Sequence, residues 1–115
     1  QFAGIEALKN GDEDIAYMKD QYDMRRRYAV DKLNNMGLTV SNPDGAFYLF
    51  ANVIKKTGLK SEEFCNQLLD SQKVAVIPGI GFGDAAEGFI RFSYCYSLEH
   101  IKEALNRMEV FVKGL

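Results

Sequence analysis

Residues 88–95 read Gly-Phe-Ile-Arg-Phe-Ser-Tyr-Cys, an apolar run with one guanidinium in its middle. With the two-residue period of a strand, Ile90, Phe92, Tyr94 and Tyr96 share one face and Phe89, Arg91, Ser93 and Cys95 the other. The first set is an ordinary core face. The second places a permanent charge among apolar neighbours, which costs roughly several kcal/mol in desolvation unless a carboxylate or phosphate meets it. That anion could be a carboxylate of this chain, such as Asp44, Asp84 or Glu87, or it could belong to another domain or a ligand.

The elements on either side of this strand define a small α+β unit. Before it runs a glycine-rich loop, GIGFGDAAEG, and before that Val74-Ala75-Val76-Ile77 reads as a strand ended by Pro78-Gly79. Ser61 is placed to cap a helix with Glu62 and Glu63 in its first turn and Phe64, Leu68 and Leu69 inward. Asn42-Pro43-Asp44-Gly45 has the residue order of a type I turn and launches Ala46–Ala51, a strand apolar on both faces. From about Asp12 to Met36, Ile15, Met18, Tyr22, Ala29, Leu33 and Met36 follow helical spacing, and Gly37 ends the helix. Asp23 with Arg27, and Arg27 with Asp31, are spaced for helical ion pairs. The run Arg25-Arg26-Arg27 thus reads as a solvated face with one salt bridge at its edge. After the strand, Ser97 caps a last helix with Ile101, Ala104, Leu105, Met108 and Val112 in one stripe. His100, in its first turn, is expected at the surface.

The N-terminal residues 1–11 carry a short stripe, Phe2, Ile5 and Leu8, with no capping residue ahead of it, and read as the end of a helix entered partway. The expected order is helix, helix, strand, helix, strand, strand, helix. This makes a two-layer α+β domain over residues 12–115, a three-stranded and mainly antiparallel sheet with helices on one face.

Composition narrows the function. The chain is 47% hydrophobic and 26% charged with a net charge of −2, which leaves no basic excess to neutralise nucleic-acid phosphates. No apolar run approaches the roughly 20 residues of a membrane span. Cys65 and Cys95 match no metal or redox spacing and are expected to pack in a reduced, cytoplasmic setting, and a single histidine excludes a His-rich zinc site. The glycines of PGIGFG (78–83) could bring backbone amides to an anion, but the loop lacks the Walker lysine and serine and opens a strand instead of a helix. Its plainer reading is a connection needing positive φ. Phe82, between two glycines, is costly to leave in water without a partner. Nowhere is there a Ser/His/Asp set, a Cys/His pair or a motif-placed acid pair, so the residues look like half of an active site.

Three segments in order, Asn42–Phe50, Val74–Gly79 with Phe82-Gly83, and Glu87–Ser93, resemble the C-terminal region of class I/II aminotransferases, pyridoxal-phosphate enzymes of the aspartate-aminotransferase fold. The resemblance covers nearly the whole chain, and residues 1–11 resemble the helix that leads from that family's large domain into its small one. It implies that Arg91 binds the substrate α-carboxylate, that Gly45 borders the substrate pocket, and that Phe82 lies on a loop that helps to close it. It also implies transfer of an amino group between an amino acid, aspartate or aromatic, and a 2-oxo acid, in a parent that is commonly a homodimer. The Schiff-base lysine, the aspartate at the pyridine nitrogen and the phosphate-binding residues belong to the large domain in that family. Lys55, Lys56 and Lys73 do not stand in the lysine motif, so the 115 residues alone are expected to bind cofactor poorly and to be inactive. Two other readings stay open: a lyase of the same fold, and a non-catalytic module that binds an amino acid through Arg91.

Overall fold

The computed structural model describes all residues, Gln1–Leu115. Helix α1 spans Phe2–Asn10 and α2 spans Asp12–Asn35. The sheet strands are β1 (Thr39–Val40), β2 (Tyr48–Asn52), β3 (Ile77–Pro78) and β4 (Phe89–Ser93). Between them lie α3 (Ile54–Thr57) and α4 (Ser61–Gln72), and α5 (Leu98–Gly114) closes the chain. Two 3₁₀ turns, Gly79–Phe82 and Asp84–Ala86, form the glycine-rich loop.

The sheet has four strands in the order β1-β2-β4-β3, every neighbouring pair antiparallel. This corrects the expected three. Strand β1 is only two residues long and offers too little periodicity to be read. It forms because α2 ends in a Schellman turn: Gly37 takes φ +88°, its N–H bonds the Asn34 carbonyl, and the Leu38 N–H bonds that of Leu33. Leu33 and Leu38 are both fully buried, and the reversal sends Thr39 and Val40 back along β2. At the other edge the expected strand 74–77 meets β4 only at Ile77 and Pro78, because Lys73 leaves α4 in a left-handed turn and the chain reaches the sheet late. Strand β2 starts two residues later than expected, since Ala46 takes φ +58° and bends the chain first. No hydrogen bond closes residues 42–45 as a type I turn.

One face of the sheet builds the core. Leu49, Ala51, Ile90, Phe92 and Tyr94 are buried against Ala29 and Leu33 of α2, Phe64 and Leu68 of α4, and Ile101, Leu105 and Met108 of α5. Tyr96 does not join them; it is exposed beyond the end of β4. Cys65 is buried as expected and its thiol is pushed up to about 11 by burial and by Glu62, whereas Cys95 is exposed. The stripe of α2 is covered only in its second half: Ile15 and Met18 face solvent, and α1 buries no residue at all. Asp23 receives both Arg26 and Arg27, which holds its carboxyl below the usual range chiefly through the Arg26 hydrogen bond. The expected pair of Arg27 with Asp31 is not formed, because Asp23 holds the Arg27 guanidinium at 3.0 Å.

Candidate functional site

The opposite face of the sheet carries Arg91. Alternation along β4 turns it away from the core, and the β2 register sets it opposite Phe50, with Ile77 of β3 on its other side. Tyr48, two residues before Phe50, shares that face and stands opposite Ser93. The Arg91 Cζ lies 4.4 Å from the centroid of the Tyr48 ring and 5.0 Å from that of Phe82. The Phe82 ring also meets Phe50 edge-on at 5.4 Å and 72°. The exposed aromatic of the loop therefore has two partners, and the charge in mid-strand is met by rings.

No carboxylate of the chain pairs with Arg91; the ion pairs form elsewhere. Glu87, one of the expected candidates, is already engaged. Its Oε1 accepts the Ser61 N–H at 2.7 Å and the Gly88 N–H at 2.8 Å, and its Oε2 accepts the Ser61 hydroxyl at 3.3 Å. These bonds, led by that of the Ser61 N–H, hold the Glu87 carboxyl below its usual range. Asp44 and Asp84 make no ion pair either, so the intrachain salt-bridge reading of Arg91 fails.

Ser61 also departs from expectation. Lys60, extended at φ −69° and ψ 161°, is the N-cap of α4, and Ser61 is its first helical residue, fully buried. Its Oγ accepts the Ile80 N–H at 3.3 Å and so ties the glycine-rich loop to the helix end. Gly79, at the start of that loop, lies against backbone: a Cβ there would stand 2.0 Å from the Ala86 oxygen and 2.6 Å from the Phe89 oxygen. Within the loop Gly83, at φ +112°, and Gly88, at φ +80°, take the left-handed region.

Of the three residues singled out in the sequence, the fold brings Arg91 and Phe82 together. Gly45 lies in the exposed bend ahead of β2, with open space where a Cβ would project. Sequence reading missed Tyr48 and the Ser61–Glu87 contact. Alternation from Ala46 to Ala51 could have put Tyr48 beside Phe50, but only the cross-strand register brings it to Arg91. On the β3 side, Arg91 borders a groove of about 560 Å³ between Val74–Ile77 and the His100, Ala104 and Arg107 side of α5. His100 is exposed there and its ring nitrogen lies 3.1 Å from the Ser97 hydroxyl.

The aspartate aminotransferase of Pyrococcus horikoshii is 45% identical over 117 residues, covering 99% of this chain and 30% of that protein. The crystal structure of an aromatic aminotransferase from the same organism superposes with a TM-score of 0.86 at 41% identity, covering 89% of this chain and 27% of that one. The crystal structure of Pyrococcus protein-A1 gives a TM-score of 0.93 at 40% identity, over 98% of this chain and 29% of that one. The chain thus spans under a third of the length of the relatives it matches. The family model for aminotransferase class I and II matches residues 1–108, and with these likenesses it follows that the chain belongs to that family, on its aspartate-aminotransferase fold.

Proposed function

We propose that this chain supplies the carboxylate-binding arginine of a transaminase that moves an amino group between an amino acid, aspartate or aromatic, and a 2-oxo acid. The observation that carries the reading is the state of Arg91. Its guanidinium sits on an open sheet face, no carboxylate of the chain pairs with it, and aromatic rings border it. A planar donor fork in that setting suits a carboxylate held in fixed orientation. Phe82 and the bend at Gly45 would border the same substrate.

The family uses pyridoxal phosphate, and the residues of this chain do not make a site for it by themselves. The Lys73 ammonium donates to the Asp70 carbonyl at 2.8 Å, at the end of α4, and Lys55 and Lys56 lie on α3. By likeness to the family, cofactor, Schiff-base lysine and pyridine partner are assigned to residues outside these 115, in a large domain of a parent that acts as a homodimer. The isolated 115-residue chain is expected to show no transaminase turnover, and measurable turnover would refute this.

The deciding experiment is borohydride reduction of the full-length protein, followed by intact mass and peptide mapping. The expected result is a pyridoxyl group on one lysine outside Gln1–Leu115. No adduct, or an adduct on Lys55, Lys56 or Lys73, overturns the reading and favours an amino-acid-binding module. Assay of the full-length protein with and without a 2-oxo acid acceptor separates transamination from a lyase reaction.

A further inference from the structure

Arg91 is held in place by means that leave its hydrogen-bond donors free. Because Arg91 stands opposite Phe50, Tyr48 is its diagonal neighbour on the same face, at a spacing that aromatic and long side chains bridge. The second ring, Phe82, arrives from the loop and leans on Phe50. Attraction between a guanidinium and a ring is to the ring's π face, and it consumes no N–H donor. The donors lie in the plane of the guanidinium and stay available as a two-pronged edge. An ion pair with an aspartate or glutamate would fix the side chain too, but at the expense of that edge.

The loop that carries Phe82 is itself pinned. The Ile80 N–H bonds the buried Ser61 hydroxyl, two residues before Phe82, and Glu87 bonds Ser61 from the far end of the loop. Gly79 lies against the carbonyls of Ala86 and Phe89. Phe82 is thus delivered by a segment fastened at both ends.

We propose that Tyr48 and Phe82 are positioning residues that preset the plane and reach of Arg91 before the substrate carboxylate arrives. A free arginine loses rotamer freedom when it binds; an arginine already held against two rings has less left to lose. This inference rests on the reading of Arg91 as the carboxylate ligand. It adds that the affinity of Arg91 for a carboxylate depends on two rings that need not touch the carboxylate.

The test uses the full-length protein with propionate, which has a carboxylate and no amino group, as competitive probe. Propylamine, which has the amino group alone, serves as counter-probe. Tyr48→Leu and Phe82→Leu should each weaken propionate inhibition about three- to tenfold, in line with the loss of one ring–cation contact. Amino-acid KM should rise by a similar factor, with the loss falling on KM more than on kcat. Tyr48→Phe, which keeps the ring face, should restore propionate binding, and propylamine should respond to none of these changes. Arg91→Lys separates the two levels. Undiminished propionate binding in Arg91→Lys overturns the carboxylate-ligand reading itself. A strong loss in Arg91→Lys with none in either leucine variant overturns the clamp alone, as does a parallel loss of propylamine. Should Tyr48→Leu fail to fold, Phe82→Leu, on a half-exposed residue, decides the matter.

Discussion

Arg91 is a charged residue whose fixation does not depend on an ion pair, and this has a measurable consequence for stability. Removing one partner of a buried ion pair typically costs about 3–5 kcal/mol, whereas a partly exposed ring–cation contact is worth about 0.5–1 kcal/mol. Arg91→Met, which loses both ring contacts, should therefore lower the unfolding free energy by no more than about 2 kcal/mol in chemical denaturation. A loss several times larger would restore an intrachain anion that the geometry does not contain. Gly79 should behave in the opposite manner. A methyl group 2.0 Å from the Ala86 oxygen cannot be absorbed by a side-chain rotation, so the backbone must move. Gly79→Ala is expected to destabilise the fold by about 1–3 kcal/mol, the range for forced overpacking, and to displace Phe82.

At the level of elements, α2 and α5 were legible in the sequence because their stripes run through three or more turns. The N-cap of α5 was legible too: the Ser97 Oγ accepts the His100 N–H, and Ser97→Ala should cost about 1 kcal/mol in the same denaturation assay. Serine at position 61 gave the same signal and meant something else, because a carboxylate remote in sequence, Glu87, claims its N–H and hydroxyl. Nothing local distinguishes the two serines. The two-residue strands β1 and β3 were illegible or over-read for a related reason: their limits are set by the Schellman turn at Gly37 and the left-handed Lys73, not by side-chain alternation. Of the candidate site, alternation alone placed Arg91 off the core. Its Tyr48 partner required the β2–β4 register and its Phe82 partner the path of the loop, neither of which a single sequence contains. Glu87→Gln tests the loop's fastening: with a neutral acceptor, proteolysis within residues 79–86 should become faster while α5 stays protected.

Across the whole molecule, α2 and α5 are joined by charge as well as by packing. Lys32 of α2 bonds the Glu109 carboxylate, and Lys113 of α5 lies 2.8 Å from its other oxygen. Lys113 first, and Lys32 with it, hold the Glu109 carboxyl down at about 2. An unfolded glutamate titrates near about 4.3. With the folded value depressed, the stabilisation is fully present above that unfolded value and is lost as pH falls through about 4 toward 2. Glu109→Gln should consequently be less stable than the parent sequence near neutrality, and the gap in melting temperature should close on acidification to about pH 2. A gap that stays constant over this range would remove the ion pairs from the account. Packing beneath the same helix is the larger contribution: Leu105, fully buried, should cost about 2–5 kcal/mol when truncated to alanine.

The sheet's proportions carry one more consequence. Its two five-residue strands are both interior, and each outer strand is two residues long, one of them ending in a proline without an N–H. Long, flat margins are what allow one copy of a protein to template the next into fibrils. Here the lengths of backbone able to recruit a foreign strand are too short to hold one. Any clustering of copies through the uncovered apolar residues of α1 and α2 should therefore stay dispersible and should not seed thioflavin-positive fibres.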